Sequence, residues 1–185
     1  MVDFPPEDIR GYTAHQCDRA VAWAVQETGA RTVADLGAGI ARDLKQLFDS
    51  GFIEFGYGVD SKEHGHFDID KVKLSTKQRE HLYLESGDYH KVLAFKPPQP
   101  FDLCFSNNVL EHVSEPEDML RVSLSVAPKA FHVVPHERAN WDEQYHRHAW
   151  TLEEFRALCG RCGTVVECDQ IAPGDNMFAL IERRS

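Results

Sequence analysis

The sequence predicts an α/β protein with a mostly parallel, seven-stranded sheet that ends in a C-terminal antiparallel hairpin. Short apolar runs alternate with segments of helical spacing, an order typical of a parallel sheet covered by helices. The last two runs, TVVECDQ and NMFALIE, are separated only by the turn-forming residues APGDN, which favours a hairpin. The 185 residues, 42% hydrophobic and 27% charged, fit one domain that spans 1–185.

The predicted elements follow one another in a regular order along the chain. A turn-rich arm at 1–12 precedes the first helix, which Thr13 caps and Gly29 ends. Segment 61–77 shows no helical period, so no element is predicted there. The predicted strands are 32–36, 55–60, 81–86, 101–106, 130–135, 164–170 and 176–182. The predicted helices are 13–28, 40–48, 108–113 with a restart at Pro116, and 151–161 with Thr151 as N-cap.

Charge and cysteine usage restrict the function classes. The formal net charge of −10 disfavours nucleic acids and anionic membrane surfaces as partners. No export signal and no apolar run of membrane-spanning length is recognised, so a cytoplasmic protein is expected. Five cysteines are an odd number, which argues against a disulfide framework. Cys159 and Cys162 have the spacing of a redox or zinc pair, but nearby glycines favour a helix end.

The segment VADLGAGIARDL places a glycine turn between the first strand and the next helix. Such a turn lies at the carboxyl end of a parallel sheet, where ligands bind. Gly37 and Gly39 allow a sharp bend and a close approach of a ligand to the main chain. Arg42 stands where a dinucleotide-binding turn keeps its third glycine, and Asp35 would repel a pyrophosphate. The turn therefore suits a ligand with a positive end and no phosphates.

Four segments, in order, resemble the motifs of class I S-adenosylmethionine-dependent methyltransferases. The D-x-G-x-G turn resembles the first motif, and Asp60 at the end of YGVD resembles the acid that accepts the ribose hydroxyls. Gly87 and Asp88 resemble the pair beside the adenine, and FDLCFSNNVLEHV resembles the fourth-strand motif. The resemblance covers about residues 14–183 and implies a Rossmann-like, doubly wound sheet.

The resemblance also implies a cofactor, S-adenosyl-L-methionine, and the residues that hold it. The expected contacts are Asp35, Gly37, Ala38 and Gly39 at the methionine end, Asp60 and Ser61 at the ribose, Gly87 and Asp88 at the adenine, and Asn107 at the methionine end or the acceptor. For Asn107, capping of a helix is the alternative interpretation. Two features depart from the pattern: Ala41 replaces a glycine of many members, and segment 61–77 replaces a helix.

Histidines near strand ends are the candidates for a general base, which transfer to a hydroxyl would need. His136 follows the fifth strand, and His146 and His148 lie in the loop YHRHAW, which the predicted topology places over the cofactor mouth. An ordinary hydrogen-bonded loop is the alternative for each. Glu111 and His112 match the family's Glu-His pair, but they fall on a predicted helix, where a structural hydrogen bond is preferred.

Two further patterns have competing interpretations. Trp141, Tyr145 and Trp150 form either an aromatic lid over a flat or sugar-like acceptor or ordinary core packing. HGHFDID at 64–70 alternates histidines and acids as metal ligands do. No complementary ligand pair is identifiable, so a solvated loop is preferred and no metal site is predicted.

The predicted function is methyl transfer from S-adenosyl-L-methionine to a small molecule, for example to a hydroxyl of a sugar or natural product. The acidic charge argues against RNA or DNA, whereas a basic protein remains an open acceptor. The alternative is a catalytically inactive module that binds the cofactor and regulates or scaffolds a partner. An NAD-dependent oxidoreductase is disfavoured by Arg42 and Asp35. No oligomeric state is predicted.

Overall fold

The computed structural model describes residues 16–61, 68–137, 146–171 and 174–185. Within these ranges the strands are β1 (Thr32–Leu36), β2 (Phe55–Asp60), β3 (Leu82–Ser86), β4 (Leu103–Asn107), β5 (Lys129–Pro135), β6 (Thr164–Ile171) and β7 (Asn176–Glu182). The α-helices are α1 (Gln16–Thr28), α2 (Arg42–Asp49), α3 (Thr76–Arg79), α4 (Pro116–Val126) and α5 (Leu152–Cys162). Short 3₁₀ turns lie at Ile69–Lys71 and Tyr89–Leu93.

The strands form one sheet in the order β3-β2-β1-β4-β5-β7-β6. Neighbouring strands are parallel except for β7, which runs antiparallel to both β5 and β6. The predicted Rossmann-like sheet with its C-terminal antiparallel hairpin is therefore confirmed. Because β1 lies between β2 and β4, the strand order reverses there, and the crevice at the carboxyl ends of β1 and β4 is the usual ligand site of an open sheet.

Apolar side chains cover both faces of the sheet. Val33 packs with the buried faces of α1 and α2, whereas its neighbour Ala34 points to the opposite layer, which α4 and α5 cover. Trp23 of α1 packs against Phe131 and Phe178, with ring centroids 6.0 and 5.5 Å apart. These layers hold the strand ends in place and thereby position the loops at the carboxyl edge. Of the helices described, none is long and apolar enough to cross a bilayer.

The predicted helix at 108–113 is wrong, because this segment forms a turn and α4 begins only at Pro116. Asn108 has a φ of 56°, in the left-handed region, which does not start a right-handed helix. The carbonyl of Glu111 accepts hydrogen bonds at 2.8 and 3.2 Å from the backbone N–H groups of 147–148. The carbonyl of Glu111 thus accepts from a distant loop and not from an N–H group one helical turn further along the chain.

Two predicted helix ends are confirmed. Gly29 follows α1 with a φ of 67°, and its N–H donates to the carbonyl of Gln26 at 3.1 Å. Thr151 caps α5, since its Oγ1 accepts from the N–H of Glu154 at 3.2 Å and the Glu154 carboxylate accepts from the N–H of Thr151 at 2.9 Å.

Cys159 and Cys162 lie in the last turn of α5, where the sequence predicts a helix end. Burial raises the pKa of the Cys159 thiol, which opposes formation of the reactive thiolate. The Sγ of Cys162 donates to the backbone carbonyl of Glu117 at 3.6 Å. These surroundings favour a structural role for both thiols over a redox or zinc-binding role.

Candidate functional site

The loop between β1 and α2 bends through three residues with left-handed backbone angles. Gly37, Gly39 and Ala41 have φ values of 85°, 55° and 55°. The N–H groups of Gly37 and Ala38 both donate to the carbonyl of Val59, at 2.8 and 3.0 Å, which ties the loop to β2. The sharp bend predicted at the glycines is present. The angle at Ala41 explains physically why a glycine suits that position.

Gly37 is also required by packing. A Cβ at this position would lie 2.4 Å from Cγ2 of Val109, far inside van der Waals contact. Val109 belongs to the turn after β4, so this turn packs directly on the glycine loop. The first and fourth predicted motifs are thereby neighbours in space.

Asp60 connects the glycine loop with the ends of β2 and β3. Its Oδ2 accepts from the N–H of Gly39 at 2.9 Å, and its backbone carbonyl accepts from the N–H of Gly87 at 2.9 Å. Asp88, which follows Gly87, accepts from the N–H of His90 at 2.9 Å and caps the 3₁₀ turn behind it. Ser61 lies exposed directly after Asp60. The predicted ribose and adenine residues therefore meet at one edge of the sheet.

Buried carboxylates lie behind the glycine loop. Asp35 is 3% exposed and Asp43 is 8% exposed. Burial and the charges of Asp43 and Asp60 raise the pKa of Asp35 well above its ordinary value. Burial and the neighbouring Asp18 raise the pKa of Asp43 to about 6. This concentration of acid, remote from water, favours a cation as its partner.

An amide and a guanidinium organise the acidic pair of Asp18 and Asp43. The side-chain amide of Asn107 donates to Asp18 and to Asp43, both at 3.0 Å. Nη2 of Arg42 lies 2.8 Å from Oδ1 of Asp18. One oxygen of each acid, Oδ2 of Asp18 and Oδ1 of Asp43, is buried without a hydrogen-bond partner among the residues described. Asn107 thus bridges two acids and caps no helix.

Asp18 and Asp43 are not predicted as site residues from the sequence. Asp18 stands in the otherwise apolar face of α1, and Asp43 in the first turn of α2, where acids are ordinary. Only the packing of α1 against α2 and β4 brings the two together. A single acid within an apolar helix face, AVAWAV after CDR, is the only signal that the sequence contains.

The three predicted histidines lie in different surroundings. His136 is 5% exposed, its N–H donates to the carbonyl of Asp175 at 2.8 Å, and its backbone bridges to Trp150. His148 contacts the carbonyl of Val113 through Nε2 at 3.0 Å and stacks on Trp150, with centroids 5.4 Å apart. The ring of His146 instead faces His112.

The turn after β4 and the loop before α5 bring three metal-ligating side chains together. One ligand atom each of Glu111, His112 and His146 lies within 4.8 Å of the others. Glu111 is 1% exposed, and burial raises the pKa of its carboxyl to about 8. The sequence motif named the Glu-His pair, but the third member comes from a loop about 35 residues further on, which only tertiary structure reveals.

Several predicted residues lie outside the described ranges. These are His64 and His66, from the segment in which histidines and acids alternate, and the aromatic residues Trp141 and Tyr145. Asp68 belongs to the described part of the same segment. Its side chain caps the 3₁₀ turn at Ile69–Lys71, since Oδ1 accepts from the N–H of Asp70 at 3.2 Å.

The comparisons with known proteins agree with this architecture. Residues 34–127, just over half of the chain, match a family described as a methyltransferase domain. The chain belongs to this family, and its fold and motifs are those of a class I S-adenosylmethionine-dependent methyltransferase domain. A search of curated proteins finds no match.

Solved structures share the fold over nearly their full length. The methyltransferase domain of bacterial CtHen1 has a TM-score of 0.70 at 19% identity, over 92% of this chain and 98% of that chain. An S-adenosylmethionine-dependent methyltransferase from Mesorhizobium loti has a TM-score of 0.66 at 14% identity, over 90% and 98%. The N-terminal domain of EvdMO1 with S-adenosylhomocysteine (SAH) bound has a TM-score of 0.60 at 16% identity, over 93% and 82%.

Proposed function

We propose that this chain transfers a methyl group from S-adenosyl-L-methionine to a small-molecule acceptor. The family supports the reaction class. The observation that carries the assignment to this edge of the sheet is the hydrogen bond of 2.9 Å between the N–H of Gly39 and Oδ2 of Asp60. It joins two motif residues that lie 21 positions apart, at the point where an open sheet binds its ligand.

The residues of the loop fit a cofactor with a cationic end. S-adenosyl-L-methionine supplies an electrophilic methyl group on a sulfonium, and its amino acid end carries an ammonium. Asp35 is a buried acid, and Oδ2 of Asp18 and Oδ1 of Asp43 accept no hydrogen bond from the residues described. The positive φ of Gly37 and Gly39 gives the sharp bend that leaves the backbone of the loop without side chains at these two positions. We assign Asp35, Gly37, Ala38, Gly39 and Asn107 to the methionine end.

The remaining cofactor residues lie at the ends of β2 and β3. Asp60 accepts hydrogen bonds from the ribose hydroxyls, with Ser61 beside it. Gly87 and Asp88 lie at the adenine, where the Asp88 carboxylate, with 61% of its side chain exposed, accepts from the exocyclic amine. Hydrogen bonds to a charged carboxylate are stronger than hydrogen bonds to a neutral acceptor.

The acceptor enters over the loops that follow β4 and β5. His136, His146 and His148 are the candidates to take a proton from an acceptor hydroxyl. His148 contacts the carbonyl of Val113 and stacks on Trp150. These contacts favour a role in positioning the acceptor loop over a role as the base. His136 is therefore the strongest candidate for the base, because the ring of His146 packs against that of His112.

Calorimetric titration with SAH tests the cofactor assignment without knowledge of the acceptor, with NADH as the control ligand. We expect saturable binding of SAH and none of NADH. No binding of SAH contradicts the proposal. A panel of hydroxyl and amine acceptors with labelled S-adenosyl-L-methionine then tests transfer. Binding without turnover over the whole panel supports the inactive regulatory module instead.

A further inference from the structure

Three metal-ligating side chains meet beside the glycine loop but outside the predicted cofactor contacts. Their ligand atoms lie within 4.8 Å of one another, and Oε1 of Glu111 is 3.7 Å from Nε2 of His112. The rings of His112 and His146 have centroids 4.9 Å apart. A tetrahedral ion with bonds of about 2.1 Å holds its ligand atoms about 3.4 Å apart. Small side-chain rotations are therefore enough to close these groups around an ion.

Glu111 is a buried acid with one carboxyl oxygen that has no hydrogen-bond partner among the residues described. Its side chain is 1% exposed, and its Oε2 accepts no hydrogen bond from the residues described. Taking a carboxylate out of water costs several kcal/mol unless donors or a cation compensate for the lost hydration. A divalent ion supplies this compensation. A solvated loop gives no reason for the burial.

Backbone hydrogen bonds hold the ligands in place. The carbonyl of Glu111 accepts from the N–H groups of 147–148, directly after His146, at 2.8 and 3.2 Å. The N–H of His112 donates to the carbonyl of Val109 at 2.9 Å. Sites whose ligands are fixed before binding lose less entropy when the ligand arrives.

We propose that Glu111, His112 and His146 bind a divalent first-row transition metal ion. Two imidazoles and one carboxylate are typical ligands of zinc, cobalt and related ions, whereas magnesium and calcium prefer oxygen ligands alone. Three protein ligands leave coordination positions open, as in catalytic metal sites.

The position of the cluster indicates what such an ion would do. The turn that contains it packs through Val109 on Gly37 of the glycine loop. An ion there lies at the acceptor side of the cofactor, where an open position can hold an acceptor oxygen and lower the pKa of its hydroxyl. This role rests on the proposed function, whereas the binding of the ion does not.

Titration of untagged, chelator-treated protein with Co²⁺ and with Zn²⁺ tests the site, followed by calorimetry and by the visible absorption of Co²⁺. We expect one saturable ion per chain, and Glu111→Gln and His146→Gln each weaken binding by at least about tenfold. His81→Gln is the matched control. It removes an imidazole at the amino end of the sheet, where Nδ1 contacts the carbonyl of Glu54 at 3.0 Å, and it leaves the affinity unchanged.

Circular dichroism and titration with SAH accompany each variant. Loss of the ion from folded cluster variants supports the site. No saturable binding by the wild-type protein, or equal affinity in the cluster variants and the control, overturns it. His112→Gln, at a side chain 23% exposed, repeats the test if Glu111→Gln does not fold. Ion binding without SAH binding overturns the proposed function alone.

Discussion

Asp60 makes a local contact and a predicted ligand contact with the same carboxylate. Its Oδ2 accepts from the N–H of Gly39, which shapes the glycine loop, and we propose that the same carboxylate binds the ribose. Asp60→Ala should therefore weaken SAH binding, by about 1.5–3 kcal/mol for each charge-assisted hydrogen bond lost. Calorimetry measures the change. Asp70→Ala, which removes an exposed acid after β2, is the control, and unchanged affinity in Asp60→Ala removes Asp60 from the ribose site.

The raised pKa of Asp43 predicts a pH dependence of cofactor binding. Because burial and Asp18 raise this pKa to about 6, the carboxyl becomes protonated as the pH falls through that value. A cationic ligand favours the ionised form, so SAH affinity should decrease below about pH 6 with proton release on binding. Calorimetry in buffers of different ionisation enthalpy counts the protons. Asp43→Asn should flatten the profile, and a pH-independent wild-type affinity would contradict the cationic-end assignment.

His132 predicts a pH dependence of stability. It is fully buried, its Nδ1 pairs with Oγ of Ser106 at 2.8 Å, and burial lowers its pKa from 6.5 to about 3. Below pH 6.5 the His132 imidazole of the unfolded chain binds a proton, whereas in the folded chain it binds one only below about pH 3. This group therefore reduces the free energy of unfolding as the pH falls through that window, by about 1.4 kcal/mol per pH unit.

Urea denaturation at several pH values checks this prediction for His132. His132→Asn keeps a partner for Ser106 but does not titrate, so its stability should fall less steeply between pH 6.5 and pH 3. Any cavity that the smaller side chain leaves costs the same at every pH and does not alter the slope. Ser106→Ala keeps the buried imidazole and should keep the wild-type slope. Equal slopes in His132→Asn and wild type would show that another group controls acid unfolding.

At the scale of elements, the loop between β1 and α2 depends on a glycine for two separable reasons. Gly37→Ala introduces both left-handed strain and a clash with Val109, whereas Gly51→Ala introduces only the strain, since nothing lies within 4 Å of its Cβ. We expect a loss of about 1–2 kcal/mol in Gly51→Ala and an additional 1–3 kcal/mol, roughly, in Gly37→Ala.

Thermal and urea unfolding separate the two terms. Val109→Ala, introduced together with Gly37→Ala, removes the two closest contacts, to Cγ1 and Cγ2, and should recover part of the additional loss. SAH affinity should fall more in Gly37→Ala than in Gly51→Ala, because the clash with Val109 displaces the loop between β1 and α2. Equal stability of Gly37→Ala and Gly51→Ala would show that Val109 moves aside without cost.

Local sequence signals predicted most elements but missed the 3₁₀ turn at Ile69–Lys71, α3 and the turn after β4. The strands were recognisable as buried apolar runs, and Thr151 and Gly29 as helix ends, because those signals act over a few residues. The segment 108–113 has helical composition, yet Asn108 adopts a left-handed angle and the carbonyl of Glu111 bonds to a distant loop. Long-range hydrogen bonds of this kind override helix propensity.

At the scale of the whole molecule, the predicted ligand contacts lie at the carboxyl ends of β1, β2 and β4 and in the turns after β1, β2 and β3, so binding should stabilise the entire sheet. A ligand that binds only the folded state adds about 2.7 kcal/mol at a hundredfold excess over Kd. For a chain of this length we expect the melting temperature to rise by roughly 5–10 °C. Differential scanning fluorimetry measures the shift. NADH at equal concentration should give none, and Asp60→Ala a smaller one.

Part of the candidate site follows from short-range sequence patterns, and the rest depends on tertiary contacts. Period, turn chemistry and motif order were enough for the α/β sheet, the hairpin and the positions of Asp35, Gly37 and Asp60, since these depend on short-range patterns. The acidic pair of Asp18 and Asp43 and the cluster of Glu111, His112 and His146 depend on helix packing and on a loop contact. Only folding buries Asp18, Asp43 and Glu111 and places the members of each group within reach of one another.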